Sequence, residues 1–213
     1  MCHQVLTYWM THQPTYRKDL MADLKIAIIL GSTRPGRNGE AVAKWVLEQA
    51  SSRTAADYRL VDLADFPLPH FDEPMSPAYG PSTKDDVQIW AETIAAYDGF
   101  VFVTPEYNHS TSAVLKNAID YLYAEWNNKA AAFVSYGSVG GARAVEHLRA
   151  VASELQIAHV RQQLAFSLAG DFENFSTFTP GPQHAALAQT MFDQLESWTG
   201  AMRSVREGVL EAA

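Results

Sequence analysis

Cysteine is all but missing from this chain. Cys2 is the only one, so no intrachain disulfide can form and a cysteine-rich metal site is excluded. The 7 histidines (His3, His12, His70, His109, His147, His159, His184) have no ligand spacing and no acidic motif beside them, so no zinc site is expected either. No apolar run reaches 18 residues and no basic-then-apolar segment opens the chain. A membrane partner and a signal peptide are therefore not expected, and the location is read as cytoplasmic. Positive charge is scarce as well: 16 Lys and Arg against 24 Asp and Glu give a net charge of −8, with no basic stripe. Nucleic acid is not an expected partner, because binding a phosphate backbone needs a positive field. What is left is a chain of 213 residues, 47% hydrophobic, long enough for one α/β domain with a sizeable core and too short for two comfortable ones.

The chain is organised around Ile26-Ala27-Ile28-Ile29-Leu30 and the polar segment that follows, Gly31-Ser32-Thr33-Arg34-Pro35-Gly36-Arg37-Asn38-Gly39. The apolar run reads as a strand buried on both faces. After the polar segment, Val42, Trp45, Val46 and Gln49 fall at helical spacing, and Asn38 is read as the N-cap. A strand, a glycine-rich turn and a helix start aim free backbone N–H groups and the positive end of a helix dipole into the turn. Hydroxyl and guanidinium groups in the same turn suit a phosphate. The turn lacks the Gly-Lys-Ser/Thr ending of a nucleoside-triphosphate loop and the Gly-x-Gly-x-x-Gly of a dinucleotide site, so a single terminal phosphate fits best. The competing reading is a polar turn with solvated arginines.

Residues 1–22 are polar and aromatic without a sustained period, and read as an N-terminal extension, either flexible or an arm for a partner subunit; Met21 is an alternative start. Residues 23–213 read as a single domain. Tyr58–Leu63 gives a second strand, and 64–81 an irregular crossing with 5 of the 10 prolines. Ser82-x-x-Asp85 reads as a capping box before a helix on Val87, Trp90, Ile94 and Tyr97. A third strand spans Gly99–Val103, and a helix on Leu115, Ala118, Ile119 and Leu122 follows it. The fourth strand lies near Ala130–Ser135, before a helix on Val145, Leu148, Ala152 and Leu155. A short fifth strand near Ile157–Val160, a loop with Phe172, Phe175 and Phe178, and a helix on Leu187, Met191, Leu195 and Trp198 complete the chain. Strands alternating with helices predict a parallel sheet covered on both faces, and five strands favour the flavodoxin-like order 2-1-3-4-5. The ends of the first and third strands then flank the crevice where ligands of open α/β sheets bind.

The exit of the third strand, Thr104-Pro105-Glu106-Tyr107-Asn108, offers a rigid turn, a carboxylate, an aromatic ring and an amide. Tyr107 suits a flat ligand, and Asn108 can donate and accept. Glu106 reads as a general base or, preferentially, as a carboxylate that holds a neighbouring N–H or caps a helix. Gly137, Gly140 and Gly141 after the fourth strand let backbone approach a ligand, or serve turn geometry alone. Gly137-Ser138-Val139-Gly140 misses the serine-hydrolase Gly-x-Ser-x-Gly because residue 136 is Tyr.

Gly31-Ser32-Thr33-Arg34 with Asn38, Pro105-Glu106-Tyr107-Asn108-His109-Ser110, Leu115-Lys116-Asn117-Ala118-Ile119-Asp120 and Gly137-Ser138-x-Gly140-Gly141 together resemble the NADPH-dependent FMN reductase family, over about residues 24–160. The resemblance implies a flavodoxin-like fold, FMN as cofactor and NADPH or NADH as co-substrate. It also implies a small-molecule acceptor (flavin, quinone, azo compound or oxyanion) and a homodimer or homotetramer. It implies that Ser32, Arg34, Asn38 and Gly39 lie around the FMN phosphate. Pro105, Glu106, Tyr107 and Asn108 would line the ribityl chain and ring, with Gly137 and Ser138 at the ring's far edge. The chain departs from the family in Ser110-Thr111-Ser112-Ala113, which lacks the usual proline, and in Tyr121, where Trp is common. A non-catalytic flavin carrier or redox sensor is the alternative; the arginine at position 34 counts against a flavodoxin.

Overall fold

The computed structural model describes residues 24–208; the extension read over 1–22 and the alternative start at Met21 lie outside the described residues. Five parallel strands form one sheet in the order β2-β1-β3-β4-β5. They are β1 (Leu24–Leu30), β2 (Ala56–Asp62), β3 (Gly99–Pro105), β4 (Ala130–Gly137) and β5 (Ala158–Ser167). Among the described residues five α-helices accompany them: α1 (Gly39–Ala50), α2 (Asp85–Ala95), α3 (Ala113–Asp120), α4 (Ala142–Glu154) and α5 (Gln183–Arg206). This is the flavodoxin-like order expected from right-handed crossovers.

The two-residue period of the strands divides the core in two. Ile26, Ile28 and Leu30 of β1, Val101 and Val103 of β3, and Ala130, Ala132, Val134 and Tyr136 of β4 pack against α1 and α5. The intervening Ala27, Ile29, Phe100, Phe102, Ala131 and Phe133 face α2, α3 and α4. β3 and β4 are buried along their whole length, which is why they read as uninterrupted apolar runs.

Where the structure departs from the expected elements, the causes are local. The fifth strand is not short. It runs for 10 residues, alternating between buried Val160, Leu164 and Phe166 and more exposed polar neighbours because it is the sheet's edge. An irregularity opposite Ala131 and Phe133 further blurs its pattern. Ser82 does not form the expected capping box: helix α2 starts at Asp85 behind Lys84, while the Ser82 hydroxyl donates to Glu73 and accepts from the Lys84 N–H. On α5, Leu187 and Trp198 point outward, and the buried face is Ala188, Met191, Phe192, Leu195 and Thr199, rotated from the expected stripe. The phenylalanine-rich loop contains a small antiparallel hairpin, β6 (Phe172–Glu173) and β7 (Thr177–Phe178).

Candidate active site

Parallel strands deliver all their exits to one end of the sheet, and there the chemistry converges. The Gly31 N–H donates to the Val103 carbonyl and the Glu106 N–H to the Tyr136 carbonyl, so the exits of β1, β3 and β4 are stitched together. Ser112 caps α3 at the Leu115 N–H and also donates to the Gly31 carbonyl, fixing the helix to the first loop.

Six features define the first loop. Ser32 is buried, and its Oγ lies 3.4 Å from the Tyr107 hydroxyl, the long limit for a hydrogen bond. Arg34 is exposed and makes no hydrogen bond or ion pair among the described residues. Arg37 is not one of the solvated arginines of the competing reading. Its guanidinium forks onto Asp62 at the end of β2, with Nη1 2.9 Å from Oδ1, and also reaches the Ser32 carbonyl. Asn38 occupies the N-cap position but does not cap: its amide donates to the Phe175 carbonyl at 2.8 Å, in the hairpin. The leading N–H groups of α1 therefore keep no side-chain partner from their own cap. Gly39 is required for space, because a Cβ there would stand 2.5 Å from the Tyr136 hydroxyl.

That hydroxyl is the sixth feature. Tyr136 is 6% exposed, and its Oη has no hydrogen-bond partner among the described residues. Burial raises its pKa above the ordinary tyrosine range; Tyr107 adds to this, while Ser32, Arg34 and the Gly39 N–H oppose it. At neutral pH it is a neutral phenol with a proton to donate.

At the β3 exit, Pro105 is buried in the strand and Tyr107 stands 40% exposed. Asn108 and His109 both adopt the left-handed region (φ 48° and 69°), which turns the chain back so that Tyr107 and Ser110 pair. Glu106 is committed elsewhere: its carboxylate accepts from Arg143 Nε at 2.6 Å and from the Arg143 N–H at 3.1 Å, capping α4. Burial alone would raise its pKa, but the Arg143 side chain and the N–H groups of Arg143 and Ala144 outweigh it and hold the carboxyl below the usual range. Glu106 is thus a helix cap that stays ionised, with no proton to move near neutral pH. Gly141 stands in the left-handed region (φ 77°) as the N-cap of α4, where a Cβ would fall 2.6 Å from that of Ser135. Gly137 packs against Glu106, and Ser138 is exposed at the tip of the turn.

The Glu106 arrangement predicts a pH dependence. Because the folded pKa is depressed, its stabilisation is present above the ordinary carboxylate pKa and is lost as pH falls through the folded value. Glu106→Gln should cost about 1 kcal/mol at pH 7, a modest figure because half-exposed Arg143 is screened by water. The difference between wild type and variant should close on acidification below about pH 4. Urea titrations at a series of pH values from pH 7 down to about pH 2.5 check this; a gap that does not narrow as pH falls removes the role of the charge.

A cavity of ≈ 380 Å³ opens beside the loop, between Thr33, the β2 exit (Leu63, Phe66, Leu68) and Val114 on α3. Among the described residues there is no group of three or more His, Cys, Asp or Glu placed to hold a metal, and no helix long and apolar enough to cross a membrane.

Residues that the sequence reasoning passed over are Tyr136, Arg143, Asp62 and Phe175. Only Tyr136 left a signal, in the alternation Ala130, Ala132, Val134, Tyr136 that places it on the α1 face.

A flavodoxin-like sheet with a donor-rich loop at its switch point defines a class of flavin and nucleotide-phosphate binders, and the comparisons narrow it. Residues 24–171 match the NADPH-dependent FMN reductase family, and the chain belongs to that family. A NAD(P)H-dependent FMN reductase of Schizosaccharomyces pombe is 43% identical over 149 residues, covering 69% of this chain and 74% of that protein. A 2-hydroxy-1,4-benzoquinone reductase of a Burkholderia species is 34% identical over 146 residues, 65% of this chain and 75% of that one. Among solved structures, FerB, a flavoenzyme NAD(P)H:(acceptor) oxidoreductase from Paracoccus denitrificans, superposes with a TM-score of 0.66 at 22% identity, over 84% of this chain and 98% of that one, which shows the shared fold. The protein is accordingly an oxidoreductase that uses FMN and NAD(P)H.

Proposed function

We propose that the converging exits of β1, β3 and β4 hold FMN and that the final electron acceptor is a small quinone. The observation that carries the reading is the set of donors around α1: its leading N–H groups, Arg34 and the orphaned Tyr136 hydroxyl, with Ser32 held only by a 3.4 Å contact to Tyr107. Every member donates and none is a carboxylate, which is the chemistry of a phosphate site. Ser32, Arg34 and Gly39 would meet the phosphate, with Asn38 holding the hairpin beside it. Pro105, Tyr107 and Asn108 would line the ribityl chain and one side of the ring, and Gly137 and Ser138 the far edge. Glu106 would fix the β3 and β4 exits to each other rather than touch the reaction.

Bound FMN supplies the two-electron relay between reduced nicotinamide and acceptor. The protein's part is placement: donors grip one end of the cofactor, and exposed Tyr107 and the glycine turn leave a face open to two successive flat substrates. A quinone acceptor is supported by the relatives named quinone reductase, in the Burkholderia species and in Escherichia coli, the latter 36% identical over 134 residues. A homodimer or homotetramer is supported by exposed Phe71, Met75, Tyr79 and Ile89 on the proline-rich crossing and α2. A cytoplasmic location completes the reading.

The test is an anaerobic titration of the FMN-loaded protein. One equivalent of NADPH or NADH should bleach the flavin absorbance, and one equivalent of a benzoquinone should restore it. Flavin that resists reduced nicotinamide and responds only to dithionite, in two resolved steps, would identify an electron carrier instead.

A further inference from the structure

Tyr136 is buried at the end of a central strand with its hydroxyl unmet, and nothing in the sequence motifs or the comparisons gives it a role. We propose that Tyr136 closes the phosphate site, donating its Oη–H to the terminal phosphate of FMN and thereby setting a preference for phosphorylated over unphosphorylated flavin. The proposal rests on the FMN reading above and adds a specificity residue to it.

Its position follows from the strand period. Ala130, Ala132, Val134 and Tyr136 share the α1 face of β4, and Tyr136 is the last of them before the exit. The ring passes under the first loop, and its hydroxyl arrives against Gly39, the first residue of α1. A side chain of any size at position 39 would collide with it, so the glycine leaves the phenol access to the helix N-terminus. Ser32 and the Gly39 N–H lie beside the phenol and favour its ionised form, but no group among the described residues meets it in hydrogen-bond geometry. The helix itself is uncapped because Asn38 is drawn away to the Phe175 carbonyl. Two independent observations therefore point into one space: an open helix N-terminus and a buried phenol with nowhere to donate.

The ligand class follows from the donors. A hydroxyl of a sugar or ribityl chain could accept from the phenol, but it would not also engage backbone N–H groups and a guanidinium. A phosphate monoester can, since three terminal oxygens accept from several directions at once. A buried hydroxyl without a partner costs stability, and an acceptor that reaches it recovers that cost on binding. Tyrosine at this place thus links the absence of ligand to a small penalty and the arrival of phosphate to its relief.

The experiment compares wild type with Tyr136→Phe, which keeps the ring packing and deletes only the hydroxyl. The variant should bind FMN about tenfold more weakly, as expected for one hydrogen bond to a charged acceptor. Its riboflavin affinity should stay within about twofold of wild type, since that ligand has no phosphate for the phenol to reach. Its ligand-free melting temperature should be equal or higher, because an unsatisfied buried hydroxyl has gone. Inorganic phosphate serves as a second probe, and should raise the melting temperature of wild type more than that of the variant. If wild type favours FMN and Tyr136→Phe keeps that preference in full, the role of Tyr136 is overturned while the FMN site stands. If the variant weakens both flavins alike and melts lower, the phenol is only structural. If wild type binds riboflavin as tightly as FMN, the phosphate site itself falls, and Tyr136 with it.

Discussion

Arg34→Ala is expected to weaken FMN binding about tenfold to a hundredfold while leaving riboflavin binding nearly unchanged. Charge-assisted hydrogen bonds contribute about 1.5–3 kcal/mol, and each 1.4 kcal/mol is a factor of about ten in affinity. Arg34 is suited to the role because it is unengaged: it lies exposed in the loop with no hydrogen bond or ion pair among the described residues. No internal bond has to break before it can reach a phosphate. Arg37 provides the contrast. Its side chain is only 13% exposed, and the guanidinium holds Asp62 and the Ser32 carbonyl together. Arg37→Ala should therefore loosen the loop itself, weakening FMN and riboflavin alike and lowering the melting temperature. Paired titrations of both variants with both flavins separate the two roles. Arg34→Ala weakening riboflavin as much as FMN would leave the phosphate to backbone N–H groups and hydroxyls alone.

The largest stability effect is expected far from the site, at Arg53. This residue sits between α1 and β2, at the end of the sheet opposite the exits. Its Nε donates to Glu196 Oε1 at 2.9 Å and Nη2 reaches the other carboxylate oxygen, while Nη2 also meets Asp193 at 2.7 Å. Tyr58 donates to the same Glu196 at 2.9 Å. The Glu196 side chain is 2% exposed, and Arg53 is the cation that pairs with it there. Arg53→Ala leaves a buried charge held by one phenol and should cost about 3–5 kcal/mol. For a chain of this size that is on the order of 10 °C in melting temperature. Adding Glu196→Gln removes the stranded charge, keeps an acceptor for Tyr58, and should recover most of the loss. Flavin affinity should not change in either variant at 25 °C, since the site lies a full strand length away. A cost under about 1 kcal/mol, or no rescue by Glu196→Gln, would show that water reaches the carboxylate despite its burial.

Much of this protein is written along the chain. The alternation of apolar runs with helical stripes determines a parallel sheet, because β1, β3 and β4 are buried on both faces and need no particular neighbour to reveal it. The sheet order follows from chain connectivity and handedness, and it places the exits of β1 and β3 side by side before any side chain is considered. The glycine-rich turn and the Pro-Glu-Tyr-Asn exit are contiguous segments, so their chemistry is legible as motifs. Elements with one wet face are less legible, as at β5 and along α5, because a half-exposed pattern tolerates several phases.

Only the tertiary structure decided what each polar side chain is for. Leu30 pairs in register with Asp62, and that pairing delivers a carboxylate to Arg37 and leaves Arg34 as the loose cation. Glu106 is occupied by Arg143, 37 positions later, because β3 and β4 are neighbours and α4 starts beside them. Asn38 is spent on the Phe175 carbonyl, 137 positions away, so the helix that it was expected to cap stays open. The physical reason is the same each time. Backbone pattern and apolar period are properties of a segment, but a charge or a hydroxyl is satisfied by whichever partner the fold brings within about 3 Å, and in a parallel sheet those partners come from strands and helices distant in the chain.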